Sequence, residues 1–205
     1  MWVYVYGSFV RGEIDNNSDF DVLCLHSDNP ILNIPSNVHT ISLKTFNKMH
    51  EEGDLFAHHL YRESVMIYSA DGSDLIREMK EPAFYENWKK DFESFTLIAR
   101  YAMKELRESN SSVFSKGLLY MSLRDLAMIY SYVVMGEANF SKYSPFQIDN
   151  PLEMSIDHYD HLRASRLSST RGTWADELLK PLPDSCIGLS KRWIEVLNEK
   201  VRHHA

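Results

Sequence analysis

The chain has 205 residues, 44% of them hydrophobic and 25% charged, and a formal net charge of −7 at pH 7. That is enough chain for one large domain or two small ones with ordinary apolar cores, and the acidic balance argues against a broad surface for long nucleic acid. No uninterrupted apolar run approaches the roughly 20 residues that span a bilayer, and no basic-then-apolar leader opens the chain, so a cytoplasmic protein with no membrane partner is expected.

In chain order, the first third reads as short strands: Trp2 to Tyr6, Phe20 to Leu25, Val38 to Leu43 and Val65 to Tyr68. They are rich in β-branched and aromatic residues, with a helix expected over about Asp54 to Glu63. Ala70-Asp71-Gly72-Ser73 reads as a turn that closes this α/β unit, giving expected domains of 1–72 and 73–205. Beyond it the period changes to that of long amphipathic helices, about Ala83 to Glu108, Val113 to Val134, Pro151 to Leu167 and Ile187 to Arg202. Trp88, Phe92, Phe95, Ile98, Ala99, Ala102 and Leu106 make one apolar stripe, so the second part is expected to be an all-α bundle. Cys24 and Cys186 stand far apart without a C-x-x-C pair, which indicates neither a disulfide framework nor a zinc site.

The most chemically loaded stretch is Gly7 to Asp21. A Gly7-Ser8 turn leaves the first strand, and Asp19 and Asp21 open the second. Residues two apart on a strand face the same way, so both carboxylates can point toward the turn. Carboxylate oxygens are hard ligands of the kind Mg²⁺ or Mn²⁺ takes while it also meets phosphate oxygens. Gly7 permits a turn whose N–H groups reach a phosphate, and Ser8 adds a hydroxyl. Arg11 is a candidate for a phosphate contact, and Ser18 for a turn-capping hydroxyl. An Asp-x-Asp alone commonly means two solvated carboxylates; the full constellation is much rarer than its parts.

The pattern Gly7-Ser8, Gly12, then Ser18-Asp19-x-Asp21 resembles the nucleotidyltransferases of the DNA polymerase beta superfamily, and Gly53 to Tyr68 is similar to the helix and strand that close their small domain. The resemblance implies a small mixed sheet with helices, followed here by the helical bundle. It implies transfer of a nucleoside monophosphate from a nucleoside triphosphate, ATP being the first choice, to a hydroxyl on a small molecule or protein, with release of pyrophosphate. Asp19 and Asp21 would hold the metal and do the catalytic work, and Gly7, Ser8, Arg11 and Ser18 would meet the nucleotide. Such enzymes carry a third carboxylate on a later strand. The matching strand here, Val38 to Leu43, has no acid, and His39 or Thr40 stands in its place. Glu51, Glu52, Asp54 and Glu63 follow, as substitutes or as ordinary solvated charges. The alternative reading is a catalytically silent relative that holds a nucleotide or docks on a partner as an antitoxin-like or regulatory protein. Dimerisation or the helical half is expected to cover the open face of the sheet.

In the helical half, Arg124 and Asp125 lie mid-helix in an otherwise apolar stretch; Arg124 is a candidate triphosphate contact and Asp125 a candidate base, against a plain ion pair. Lys142, in the loop Phe140 to Phe146, is a second candidate for the nucleotide. His158 and His161, with Asp157 and Asp160, would share a helix face and are expected to be solvated rather than metal-bound.

Overall fold

The computed structural model describes residues 1–14, 20–27, 35, 38–109, 112–172 and 175–204. They form two compact units, Met1–Glu86 and Asn87–Ala205.

The first unit runs β1 (Trp2–Tyr6), α1 (Ser8–Arg11), β2 (Asp21–His26), β3 (Val38–Ser42), α2 (Leu43–Glu51), α3 (Leu55–Glu63), β4 (Ser64–Ser69) and α4 (Leu75–Glu78). Its four strands make one mixed sheet in the order β3-β2-β1-β4. β1 is antiparallel to both β2 and β4, and β2 is parallel to β3. Strand alternation sends Tyr4, Leu23, Leu25 and Ile41 to one face, where Phe46 of α2, Leu60 of α3 and Ile76 of α4 cover them. Each fully buried aliphatic side chain there contributes about 1.5–3 kcal/mol. Ser42 ends β3 and starts α2, its hydroxyl accepting from the Thr45 N–H at 3.1 Å, so the strand expected to run on to Leu43 turns helical there. Asp54 caps α3 in the same way, accepting from the Phe56 N–H at 2.7 Å.

Residues past Gly72 stay with the sheet. The Ile76 N–H donates to the Tyr4 hydroxyl at 3.1 Å, and that hydroxyl donates to Asp74 at 3.1 Å. Trp2 Nε1 donates to the Ser73 hydroxyl at 3.1 Å. Farther on, Gly53 has φ +65°, and a Cβ there would fall 2.3 Å from the Ala83 carbonyl oxygen. Only glycine lets the α2–α3 turn meet the 83–84 backbone so closely. By compactness, residues 73–86 therefore group with the sheet, and the second unit begins at Asn87.

The second unit holds α5 (Trp88–Glu108), α6 (Val113–Met135), α7 (Ile156–Arg171) and α8 (Asp184–Arg202), with short 3-10 turns at Ser144–Phe146 and Asp176–Leu179. α6 packs against α5, α7 and α8. It is long and apolar enough, by length and composition, to cross a membrane, which the sequence reading did not expect; half of that stretch is buried within the unit, as in the core helix of a bundle. α7 starts at Ile156 because Ser155 caps it, five residues past the expected start at Pro151. The helix expected from Ala83 starts at Trp88.

Charge is also buried in this unit. Lys116 on α6 is fully buried, and its Nζ donates to the carbonyls of Leu178 at 2.5 Å and Lys180 at 2.7 Å, with His161 Nε2 at 3.1 Å. Burial pushes its pKa down.

Candidate active site at the Gly7 turn

β1 ends at Tyr6, whose cross-strand partner on β2 is Asp21. Gly7 follows with φ 76° and ψ −144°, and a Cβ there would fall 2.8 Å from Asp21 Oδ2. The Asp21 carboxylate therefore lies directly on the turn, in space that only glycine leaves open. Burial, and after it the Asp21 charge, pushes the Tyr6 hydroxyl up to about 12. Ser8 and Phe9 open the one-turn helix α1, which Gly12 closes. Phe9 and Phe20 meet edge to face at 4.9 Å beside the turn. Ser18 and Asp19 lie outside the described residues.

On the strand face that carries Asp21, Leu23 and Leu25, the neighbour of Leu23 on β3 is His39. The strand pairing thus brings the exposed His39 to the sheet face where the third carboxylate was sought. Its ring lies 5.6 Å from that of Phe56. Tyr6 meets Phe56 at 5.5 Å and His59 at 5.6 Å, both edge to face, so α3 lays an aromatic wall on the Tyr6–Asp21 pair.

A charged network adjoins this wall. The His59 Nε2 lies 3.0 Å from Glu63 Oε2 and 3.4 Å from Arg11 Nη1. Arg11 also pairs with Glu63 through a short contact and with Glu13 at 3.1 Å. Burial alone would raise the Glu63 pKa; hydrogen bonds from His59 and Arg11 outweigh it and hold the carboxyl below its usual range. Arg11, expected at a phosphate, is here tied to α3. Glu63, weighed as a substitute acid or a solvated charge, is a partly buried anchor that links α1 to α3.

Arg124 and Lys142 belong to the helical unit. Arg124 Nη2 donates to the Phe140 carbonyl at 3.0 Å, and Nη1 lies 3.7 Å from Asp125. Burial pushes Asp125 up to about 6, against the opposing charges of Arg124 and Arg166. The Lys142 Nζ sits 5.6 Å over the Tyr143 ring, and its carbonyl accepts from the Tyr159 hydroxyl at 3.1 Å. The two histidines of α7 part company. His158 Nδ1 meets the Ser155 hydroxyl at 2.7 Å, whereas His161 turns to Lys116, and burial with that neighbouring charge pushes its pKa down. His161 is thus not the solvated group expected, because α6 presents Lys116 to it. Among the described residues no three His, Cys, Asp or Glu side chains gather as a metal site.

The sequence reading missed Tyr6, Phe56 and His59. The four-residue spacing of His59 and Glu63 marks a helix pair, but nothing local shows that both face α1.

A mixed sheet with helices on one face, and a carboxylate pressed on the glycine turn after its first strand, defines a small α/β domain. Residues 1–73 match the family model "Polymerase beta, Nucleotidyltransferase", and that part of the chain is a nucleotidyltransferase domain of this family. No curated protein matches the chain. The family acts on nucleotides and typically uses a divalent metal.

Proposed function

We propose that the protein is a nucleotidyltransferase that moves a nucleoside monophosphate from a nucleoside triphosphate, ATP foremost, to an acceptor hydroxyl on a small molecule or protein. The observation that carries this reading is the Asp21 carboxylate set 2.8 Å from where a Cβ on Gly7 would lie, inside the family-matched segment. The donor chemistry fits Mg²⁺ or Mn²⁺: Asp21 supplies hard oxygens at an open cradle, and Asp19 is its companion by the family pattern. When bound, the metal would supply charge neutralisation on the phosphate oxygens. Gly7 and Ser8 would contact the triphosphate, and the wall of Tyr6, Phe56 and His59 would border the site. In the reaction the acceptor hydroxyl gives up its proton to solvent, its oxygen bonds to the α-phosphorus, the α–β phosphoanhydride bond breaks, and pyrophosphate leaves with the electron pair. Arg124 and Lys142 are assigned no role in it, since each is engaged within the helical unit.

Calorimetric titration of ATP and the other triphosphates, with and without Mg²⁺, tests the site. Mg²⁺ should add a binding event in the wild type, and Asp21→Asn should weaken that Mg²⁺-dependent event at least tenfold. Undiminished binding in that variant would overturn the metal role.

A second reading rests on His39, which stands across from Leu23 on a strand without an acid. It makes the domain a nucleotide holder that docks on a partner protein. Pyrophosphate release from labelled triphosphates over a panel of hydroxyl acceptors and proteins separates the two: turnover lost in Asp21→Asn excludes the silent version.

A further inference from the structure

Positive charge gathers at one place in the helical unit. On α5, Arg100, Lys104 and Arg107 recur at four- and three-residue spacing, so they share a face, and α8 adds Lys191. Together they line a groove of about 330 Å³ between the two helices, with the largely buried Met103 and Ile194 also in its lining. Two carboxylates complete it, and each is already near a lysine of its own helix: Glu108 lies 3.9 Å from Lys104, and Glu195 3.8 Å from Lys191. Among the described residues Arg100 and Arg107 have no carboxylate within 4.0 Å and donate no side-chain hydrogen bond.

Three cations within two turns of one helix repel one another, and an acidic chain of net charge −7 does not gather them by background composition. An anion in the groove relieves that repulsion. From Arg100 to Arg107 the helix advances roughly 10 Å, the scale of several linked phosphates, and two guanidiniums offer paired N–H donors to their oxygens. The Met103 and Ile194 side chains give an apolar portion of the same ligand a surface to rest on. The volume lies at the lower end of small-ligand sites, which run from about 300 to 1,000 Å³.

We infer that the α5–α8 groove is a second ligand site, separate in its residues from the Gly7 turn, and that it takes a small phosphate-bearing ligand of the nucleoside polyphosphate class. Arg100 and Arg107 hold the phosphates, Lys104 and Lys191 add charge at the groove, and no bond is made or broken.

The test is calorimetric titration of the full chain in EDTA, which removes the metal on which the Gly7 site is proposed to depend. The probes are ATP, pyrophosphate and a 12-nucleotide single-stranded RNA, each at low salt and at 150 mM salt. ATP should bind the wild type, and Arg100→Gln with Arg107→Gln should weaken it at least tenfold while circular dichroism stays unchanged. Equal binding of ATP by wild type and double variant, or no binding by either, would overturn the site. Arginine-dependent RNA binding tighter than that of ATP would overturn the small-ligand assignment. Mg²⁺-dependent triphosphate binding lost in Asp21→Asn but kept in the arginine variant would leave the proposed function standing, whatever the fate of this groove.

Discussion

The two units use charge in opposite ways. In the α/β unit the core is apolar, and the charged groups collect at its margin, where Asp21 sits against Gly7 and Glu63 ties Arg11 to His59. In the helical unit charge goes inside: Lys116 is fully buried among carbonyls, and Asp125 is largely buried beside Arg124. The contrast teaches that a charge at the margin lies where a ligand can reach it, whereas a buried one is committed to packing. Arg124 and Lys142 looked like ligand contacts in the sequence because mid-helix and loop cations are common at sites. Both are half-buried, Arg124 on the Phe140 carbonyl and Lys142 over the Tyr143 ring.

The largest effect should come from Lys116→Ala, which leaves two carbonyls and His161 without their donor and opens a void. We expect a loss of about 3–5 kcal/mol in urea unfolding. A loss below about 1 kcal/mol would mean that the lysine is not holding the 178–180 segment, and the contrast would fail.

Next is Gly7→Ala. A side chain at positive φ costs about 1–3 kcal/mol, and here it also displaces the Asp21 carboxylate. Thermal melting should fall modestly, while Mg²⁺-dependent triphosphate binding should drop more than tenfold. Binding at wild-type strength would show that the close Asp21–Gly7 approach has no bearing on the ligand.

The smallest effect is a pH dependence. Asp125 titrates near 6 when folded against an ordinary 3.8, so its contribution to stability is full below about pH 4 and is lost as pH rises through about 6. Asp125→Asn should therefore melt higher than wild type at pH 8, by about 1–3 kcal/mol, and the gap should close toward pH 4. A gap that is constant with pH would place the carboxylate in water.

Much of this was legible in the sequence. The strands of the first unit announced themselves by β-branched and aromatic enrichment, and the helices of the second by a stripe such as Trp88, Phe92, Ala99 and Leu106. The approach of Asp21 to Gly7 was legible because the two are joined by one turn and one strand pairing. What stayed hidden depends on distant pairing. α2 was missed because Val38 to Leu43 is a continuous strand-like run, and only the Ser42 cap ends it. His59 and Glu63 could not be placed, since their partner Arg11 lies about fifty residues earlier. Lys116 looked like any helix lysine until the 178–180 carbonyls closed on it.

Gly53 carries a consequence for where a fragment of this chain can be cut. The family match ends at residue 73, but the α2–α3 turn is pressed on the backbone of Ala83 and Phe84, and the His58 ring meets the Ala83 carbonyl at 3.0 Å. A fragment cut at 73 would bare that glycine notch and strand the histidine. A fragment meant to keep these contacts should run on to Glu86, where the first compact unit ends.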